Sequence, residues 1–237
     1  MQHMWNNLKT RYVQTFGTKS FNKSILIGII LLTVALIINY YAATYAFERA
    51  SSAVADIVLS NIPVYDVDWI FVFGPIVFGI WIAAISFAHP KTLPFTLKSI
   101  ALFVIIRSAF ITLTHIGPFP DHIVIDGNSA AFLHLISNST NFFLLSTGAD
   151  LFFSGHTGLP FMLALIFWRH RLTRAFCLAM SVFFGVIVLL GHLHYSIDVA
   201  SAFFISYTIF VIANNFFKED RERFLSNEKV TVSPPLP

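Results

Sequence analysis

Long apolar runs separated by short charged intervals dominate this chain. Crossing the hydrocarbon core of a bilayer takes about 20 apolar residues. The pattern predicts six spanning helices, over 25–46, 69–88, 95–116, 151–172, 174–193 and 195–217, and so an all-α integral membrane bundle. The fourth run is the least regular, because Asp150 and the cluster Ser154-Gly155-His156-Thr157 sit at its start. Residues 1–24 read as a leading segment, 25–217 as one six-helix transmembrane domain, and 218–237 as a tail.

Smaller signals fill in the intervals. The leader is long and charged, and the first apolar run outlasts a secretory signal, which argues against cleavage. The longest interval, 117–150, has an apolar middle at 130–136 suited to the bilayer surface and a glycosylation sequon at Asn138-Ser139-Thr140. The end of the chain, with Pro234, Pro235 and Pro237, reads as short and disordered.

Composition agrees with a membrane protein. Hydrophobic residues make up 56% and charged residues 11%, whereas soluble domains carry about 25% charged residues. Nothing forms the basic stripe that nucleic acid would require. The net charge of +3 conceals a segregation along the chain. Thirteen of the fifteen Lys and Arg residues lie before the first span, around the second turn, in the fourth connection or after the last span. Only Arg49 falls in an opposite loop, and Arg107 lies within a span. By the positive-inside rule both termini are cytoplasmic. The other face carries Glu48, Asp56, Asp66, Asp68, Asp121, Asp126 and Asp150, and the polar clusters open towards it. Cys177 sits in an apolar stretch and suits packing.

Two clusters interrupt the apolar pattern: Ser154-Gly155-His156-Thr157 and His192-Leu193-His194-Tyr195-Ser196-Ile197-Asp198. Ionisable groups at membrane depth are costly, so a chain that keeps them has a use for them. His194 and Asp198 stand four residues apart and share a face if both are helical, so the carboxylate can hold one ring nitrogen and leave the other to attack phosphorus. Gly155 admits close backbone approach, and Ser154 or Thr157 can cap a helix starting near Thr157 or Gly158, with Pro160 in its first turn. Such a helix would be about 15 residues, ending at Leu172, and its N-terminal N–H groups suit phosphate. His156 at its rim can protonate a leaving oxygen. Arg107 suits bidentate phosphate binding, and Asp150 suits holding His156 protonated or pairing with a substrate cation.

Structural alternatives stand beside these roles. Arg107 suits equally a lock with Asp66 or Asp68, Tyr195 an interface anchor, and His89, His115, His122, His134 and His170 packing or interfacial positions. His192, His194, Asp198 and His156 are also a possible zinc set, although alternate residues on a helix point about 200° apart.

Leu151 to Thr157 and the His192-x-His194-Tyr195-Ser196-Ile197-Asp198 segment resemble the sphingomyelin synthase family, a branch of the type-2 phosphatidic acid phosphatase superfamily. Asp150 before the serine-glycine-histidine, and Arg107 leading to Pro118-Phe119-Pro120, resemble that family too, over roughly residues 100–217. The phosphatases' K-x6-R-P motif is absent: eight residues separate Lys98 from Arg107, and Ser108 follows. Their third motif lacks its leading Ser-Arg pair, where Ile187 and Val188 stand, and Leu193 occupies a position that is acidic in the synthases.

The resemblance implies a membrane phospholipid phosphotransferase. His194 would be the nucleophile, assisted by Asp198, with His156 as acid and then base. Arg107, Asp150, Ser154, Gly155, Thr157 and Tyr195 would bind substrate at the exoplasmic or lumenal face. The implied partners are a phospholipid donor and a lipid alcohol or water as acceptor. No cofactor or metal is called for, since the histidines and Arg107 can stabilise the charge. Hydrolysis by the same site, and transport with a histidine proton relay, are the alternatives.

Overall fold

The computed structural model describes residues 18–121 and 151–226. The 130–136 stretch, the Asn138 sequon, His122, His134, Asp150 and the proline-bearing end all lie outside the described residues. Within them the architecture is entirely helical: α1 (Lys19–Glu48), α2 (Asp68–Ala88), α3 (Leu93–Thr114), α4 (Gly155–Ile166), α5 (Arg171–Leu190), α6 (Ser196–Phe216) and α7 (Lys218–Ser226), with short 3-10 turns at Leu59–Asn61 and Pro90–Thr92.

Five of these helices, α1, α2, α3 with its preceding turn, α5 and α6, are long and apolar enough to cross a membrane. Their outer faces remain apolar: Leu26, Ile30, Val77, Ile80, Phe204 and Val211 are all exposed. An exterior of this kind is stable only against lipid. The fourth expected span differs. α4 has 12 residues, about 18 Å at 1.5 Å per residue, too short to cross. It starts at Gly155, earlier than the proline suggested, because Ser154 Oγ accepts the Thr157 N–H at 3.4 Å and caps it there. Pro160 therefore lies inside the helix rather than in its first turn. The segment breaks at Trp168 to His170 before α5 begins.

Packing follows residue size. α1 buries Ser24, Gly28, Ala35, Ala42, Ala43 and Ala46, a seam of small side chains along α3. Small residues let backbones approach closely where lipid supplies no hydrophobic drive. α4 packs against α5 and α6, and the main core joins Phe103, Phe153, Met162, Leu163, Phe184 and Ile209.

α1 begins six residues before the expected span, and the first part of the 218–237 tail, α7, packs on the bundle. Phe224 of α7 is buried against Phe95 and Phe167. The Arg221 guanidinium donates to the Ile166 carbonyl at 3.0 Å, satisfying an orphan acceptor at the end of α4. At the same end of the bundle, buried Lys98 donates to Ser24 Oγ at 2.7 Å and to the Asp220 carboxylate, while Ser24 Oγ donates to Asp220 at 2.7 Å. One polar knot thus ties α1, α3 and α7.

At the opposite end, the loop after α1 buttresses the start of α6. Asp56 Oδ2 accepts the Ser196 N–H at 2.7 Å, and Oδ1 accepts those of Val58 and Leu59. Burial pushes the Asp56 carboxyl up, but the hydrogen bonds from Ser196, Leu59 and Val58 together outweigh it and hold it below the ordinary range. Gly117 is obligatory in this layer, since a Cβ there would meet the Ser51 carbonyl oxygen at 2.0 Å.

Candidate active site

Both histidine clusters lie at the N-terminal ends of α4 and α6, at the end of the bundle away from Lys98. The loops carrying them are joined directly: the Ser154 N–H donates to the Asp198 carbonyl at 3.1 Å. This main-chain bond brings two segments about forty residues apart to one place. The His156 and His194 rings lie with centroids 6.5 Å apart and planes inclined by 59°. Arg107 of α3 donates from Nε to the Phe153 carbonyl at 3.0 Å, and a Cβ on Gly155 would meet that Nε at 3.2 Å. Gly155 thus allows the guanidinium to lie against the start of α4.

His194 Nδ1 stands 3.4 Å from Asp198 Oδ2, with both side chains buried. The pairing does not come from a shared helical face, as the spacing suggested, because His194 precedes the helix. Instead Asp198 is the third residue of α6, and its Oδ2 also accepts the Tyr195 N–H at 2.9 Å. The capping carboxylate folds back over the helix start and meets the imidazole there. At 3.4 Å this is an ion-pair distance rather than a formed hydrogen bond, and a carboxylate facing Nδ1 favours the proton there, with the lone pair on Nε2.

His156 is held from the other side. Its ring stacks on Phe71 of α2, with centroids 4.2 Å apart, and its Nε2 lies 3.2 Å from the Phe71 carbonyl. A carbonyl can only accept, so Nε2 carries a proton and Nδ1 is the nitrogen whose protonation can vary. That carbonyl is available for a reason visible in the sequence. In an α-helix it would accept from residue 75, but residue 75 is proline, inside α2, and has no N–H. Pro75 therefore releases the acceptor that positions His156. Neither residue stood out among the chemical motifs; a proline in mid-span was the available signal.

Arg107, Gly155, His156 and His194 line one end of a cavity of about 580 Å³ that continues between α1, α2 and α3. The other expected binding residues sit behind this wall. Ser154 and Thr157 are buried, the first as the cap of α4 and the second with its carbonyl accepting from Ser181 Oγ at 2.7 Å. Tyr195 is neither a membrane-interface anchor nor a cavity residue. Its hydroxyl donates to the Gly117 carbonyl at 2.8 Å and accepts the Val54 N–H at 3.2 Å, bolting two loops to the site. Phe119, from the Pro118-Phe119-Pro120 turn, meets His192 edge-on at 5.3 Å. His192 has φ 52°, so the backbone between the paired histidines is irregular. Among the described residues, no three His, Cys, Asp or Glu side chains converge as a metal site.

Residues 147–215 match the family model described as PAP2 superfamily C-terminal. The matched stretch is less than a third of the chain and contains His156, His194 and Asp198. It supports kinship with the type-2 phosphatidic acid phosphatase superfamily as a whole, and with it lipid phosphatase or phosphotransferase chemistry, rather than any single branch. Comparison with curated proteins and with solved structures gave no match.

Proposed function

We propose that this protein transfers a phospho-head-group from a membrane glycerophospholipid to an alcohol through a phosphohistidine, in the manner of the sphingomyelin synthases. One observation carries the proposal: a carboxylate-backed imidazole and a second, carbonyl-anchored imidazole face each other beside Arg107 at the end of an apolar cavity. His194 Nε2 attacks phosphorus and the P–O bond to diacylglycerol breaks. The proton on His156 Nδ1 goes to the departing oxygen. In the second half the acceptor hydroxyl gives its proton to His156 while its oxygen attacks phosphorus, and the P–N bond breaks. Asp198 stabilises the imidazolium character that develops on His194, and Arg107 the charge on the phosphoryl oxygens. The site faces the exoplasmic or lumenal side, given the basic residues at the opposite end. The superfamily match favours one further possibility, with water as acceptor, which makes the same site a hydrolase.

Purified protein incubated with head-group-labelled phosphatidylcholine or phosphatidylethanolamine in excess chelator is expected to release diacylglycerol. Added ceramide then captures the label if transfer is the reaction, whereas water-soluble label alone indicates hydrolysis. Retention of full activity in His156→Ala would reject the assignment. pH-driven ion flux without any lipid product would mark a transporter instead.

Pro75→Ala separates positioning from packing. An alanine N–H gives the Phe71 carbonyl a helical donor that competes with His156. The expected result is a higher thermal midpoint, because proline is disfavoured inside helices, together with a kcat lowered about 10-fold at little change in KM. A purely structural proline would change the midpoint and leave kcat alone.

A further inference from the structure

The cavity that ends at the histidines is long. One face of α2 lines it from Phe71 beside His156, through Pro75, Phe78, Gly79 and Ile82, to Ser86. These positions recur at helical spacing, so a single stripe of α2 looks across the gap at α1 and α3. Phe71 and Phe87 are sixteen residues apart, about 24 Å along the helix axis. One leaflet of a bilayer is only about 15 Å deep in hydrocarbon, half the core thickness. Ionisable side chains line only the upper end, where Arg107, His156 and His194 sit. Below them the walls are almost wholly apolar until the far end, where the buried hydroxyls of Ser86 and Thr96 appear beside Phe87 and Leu93. The shape is a slot with a polar mouth and a marked floor.

Gly79 stands part-way down. It lies eight residues from Phe71, about 12 Å, and a Cβ built on it meets nothing within 4 Å. Glycine in a helix interior normally carries a stability cost relative to alanine. Here no neighbouring backbone or side chain requires it. Gly79 lines the slot along its exposed flank, so the space it leaves open is continuous with both the slot and the lipid-facing side of α2.

Resting on the function proposed above, we infer that this slot holds one acyl chain of the lipid substrate and that Gly79 sets how long a chain is accepted. The chain threads down from the phosphate at the histidines, passes Gly79 and ends near Ser86 and Thr96. A larger side chain at 79 fills the slot about 12 Å below the His156 platform, so only chains shorter than one leaflet depth still fit.

The test compares wild type, Gly79→Phe and Ile80→Phe in lipid nanodiscs, because Ile80 is the next residue of the same helix but lies outside the slot lining. The probe is phosphatidylcholine with a diazirine at the end of a palmitoyl-length chain, mapped by photolabelling. Labelling reads occupancy whether or not turnover occurs, so failure of the proposed reaction and failure of the slot are distinguishable. The expected label falls within 82–100 in wild type and in Ile80→Phe, and is lost there in Gly79→Phe. The turnover ratio of palmitoyl over octanoyl substrates then drops at least about 10-fold in Gly79→Phe and stays at the wild-type value in Ile80→Phe. Should Gly79→Phe not fold, Ala83→Leu, one turn deeper in the same stripe, is read in its place. Label confined to outward residues such as Val77 and Ile80, or equal deep labelling in wild type and the plugged variant, overturns the inference.

Discussion

Replacing His194 with alanine is expected to lower turnover about 10⁴-fold or more, with the helical fold intact. The size follows from the proposed role of its Nε2 as the atom that bonds to phosphorus, which no neighbour can assume. His192, two residues earlier, is packed edge-on against Phe119 and lies outside the cavity lining. Asp198→Asn should be nearly as damaging, about 10²-fold or more, because an amide can present its N–H to the imidazole and select the wrong tautomer. The covalent intermediate supplies a readout independent of rate. Label from a radioactive head-group phosphate should be trapped on wild-type protein in a form stable to alkali and lost in mild acid, as an N–P bond is. Absence of that acid-labile adduct in wild type, or its presence in His194→Ala, removes the nucleophile assignment.

The second large effect lies at the other end of the bundle. Asp220→Ala leaves the Lys98 ammonium buried, with its side chain 10% exposed and without its carboxylate. Breaking one side of a buried pair typically costs about 3–5 kcal/mol, most of it the desolvation of the charge left behind. Asp220 also accepts from Ser24 and Arg223, so its loss unties α1 and α3 from α7 together. The expected signature is a clear drop in thermal midpoint in detergent and early proteolysis within 218–226. The double replacement Lys98→Met with Asp220→Leu should recover much of the loss, since neither charge is then stranded. A midpoint within about 1 °C of wild type for Asp220→Ala would show the knot to be solvated.

The long spans were legible because lipid selects for uninterrupted apolar sequence, which is a one-dimensional signal. α2, α5 and α6 begin and end within a few residues of the hydropathy limits. α1 was harder, since its first turns lie among lysines and are held by Phe21 and Ser24 packing inward. α4 is short, as the 15 residues expected from the proline and cap signals implied, but it lies at Gly155–Ile166 rather than running on to Leu172, because apolar sequence continues past the turn that ends it. For the site, the residue types and their grouping were legible, while the means of holding them were not. The His194–Asp198 spacing was correct for a contact, yet the contact arises from a capping carboxylate rather than a helical face. Pro75 acts on a carbonyl four residues back that serves a histidine in another helix, a relation that no local pattern contains. Lys98 and Asp220 are likewise 122 positions apart.

The hydrogen bond from the Ser154 amide to the Asp198 carbonyl runs between main-chain atoms. Ordinary side-chain replacement therefore cannot delete it; at position 154 only proline, which lacks the N–H, would do so. His156 and His194 are consequently yoked at a spacing insulated from drift in the surrounding side chains. The groups lining the mouth can change while the two imidazoles keep their gauge.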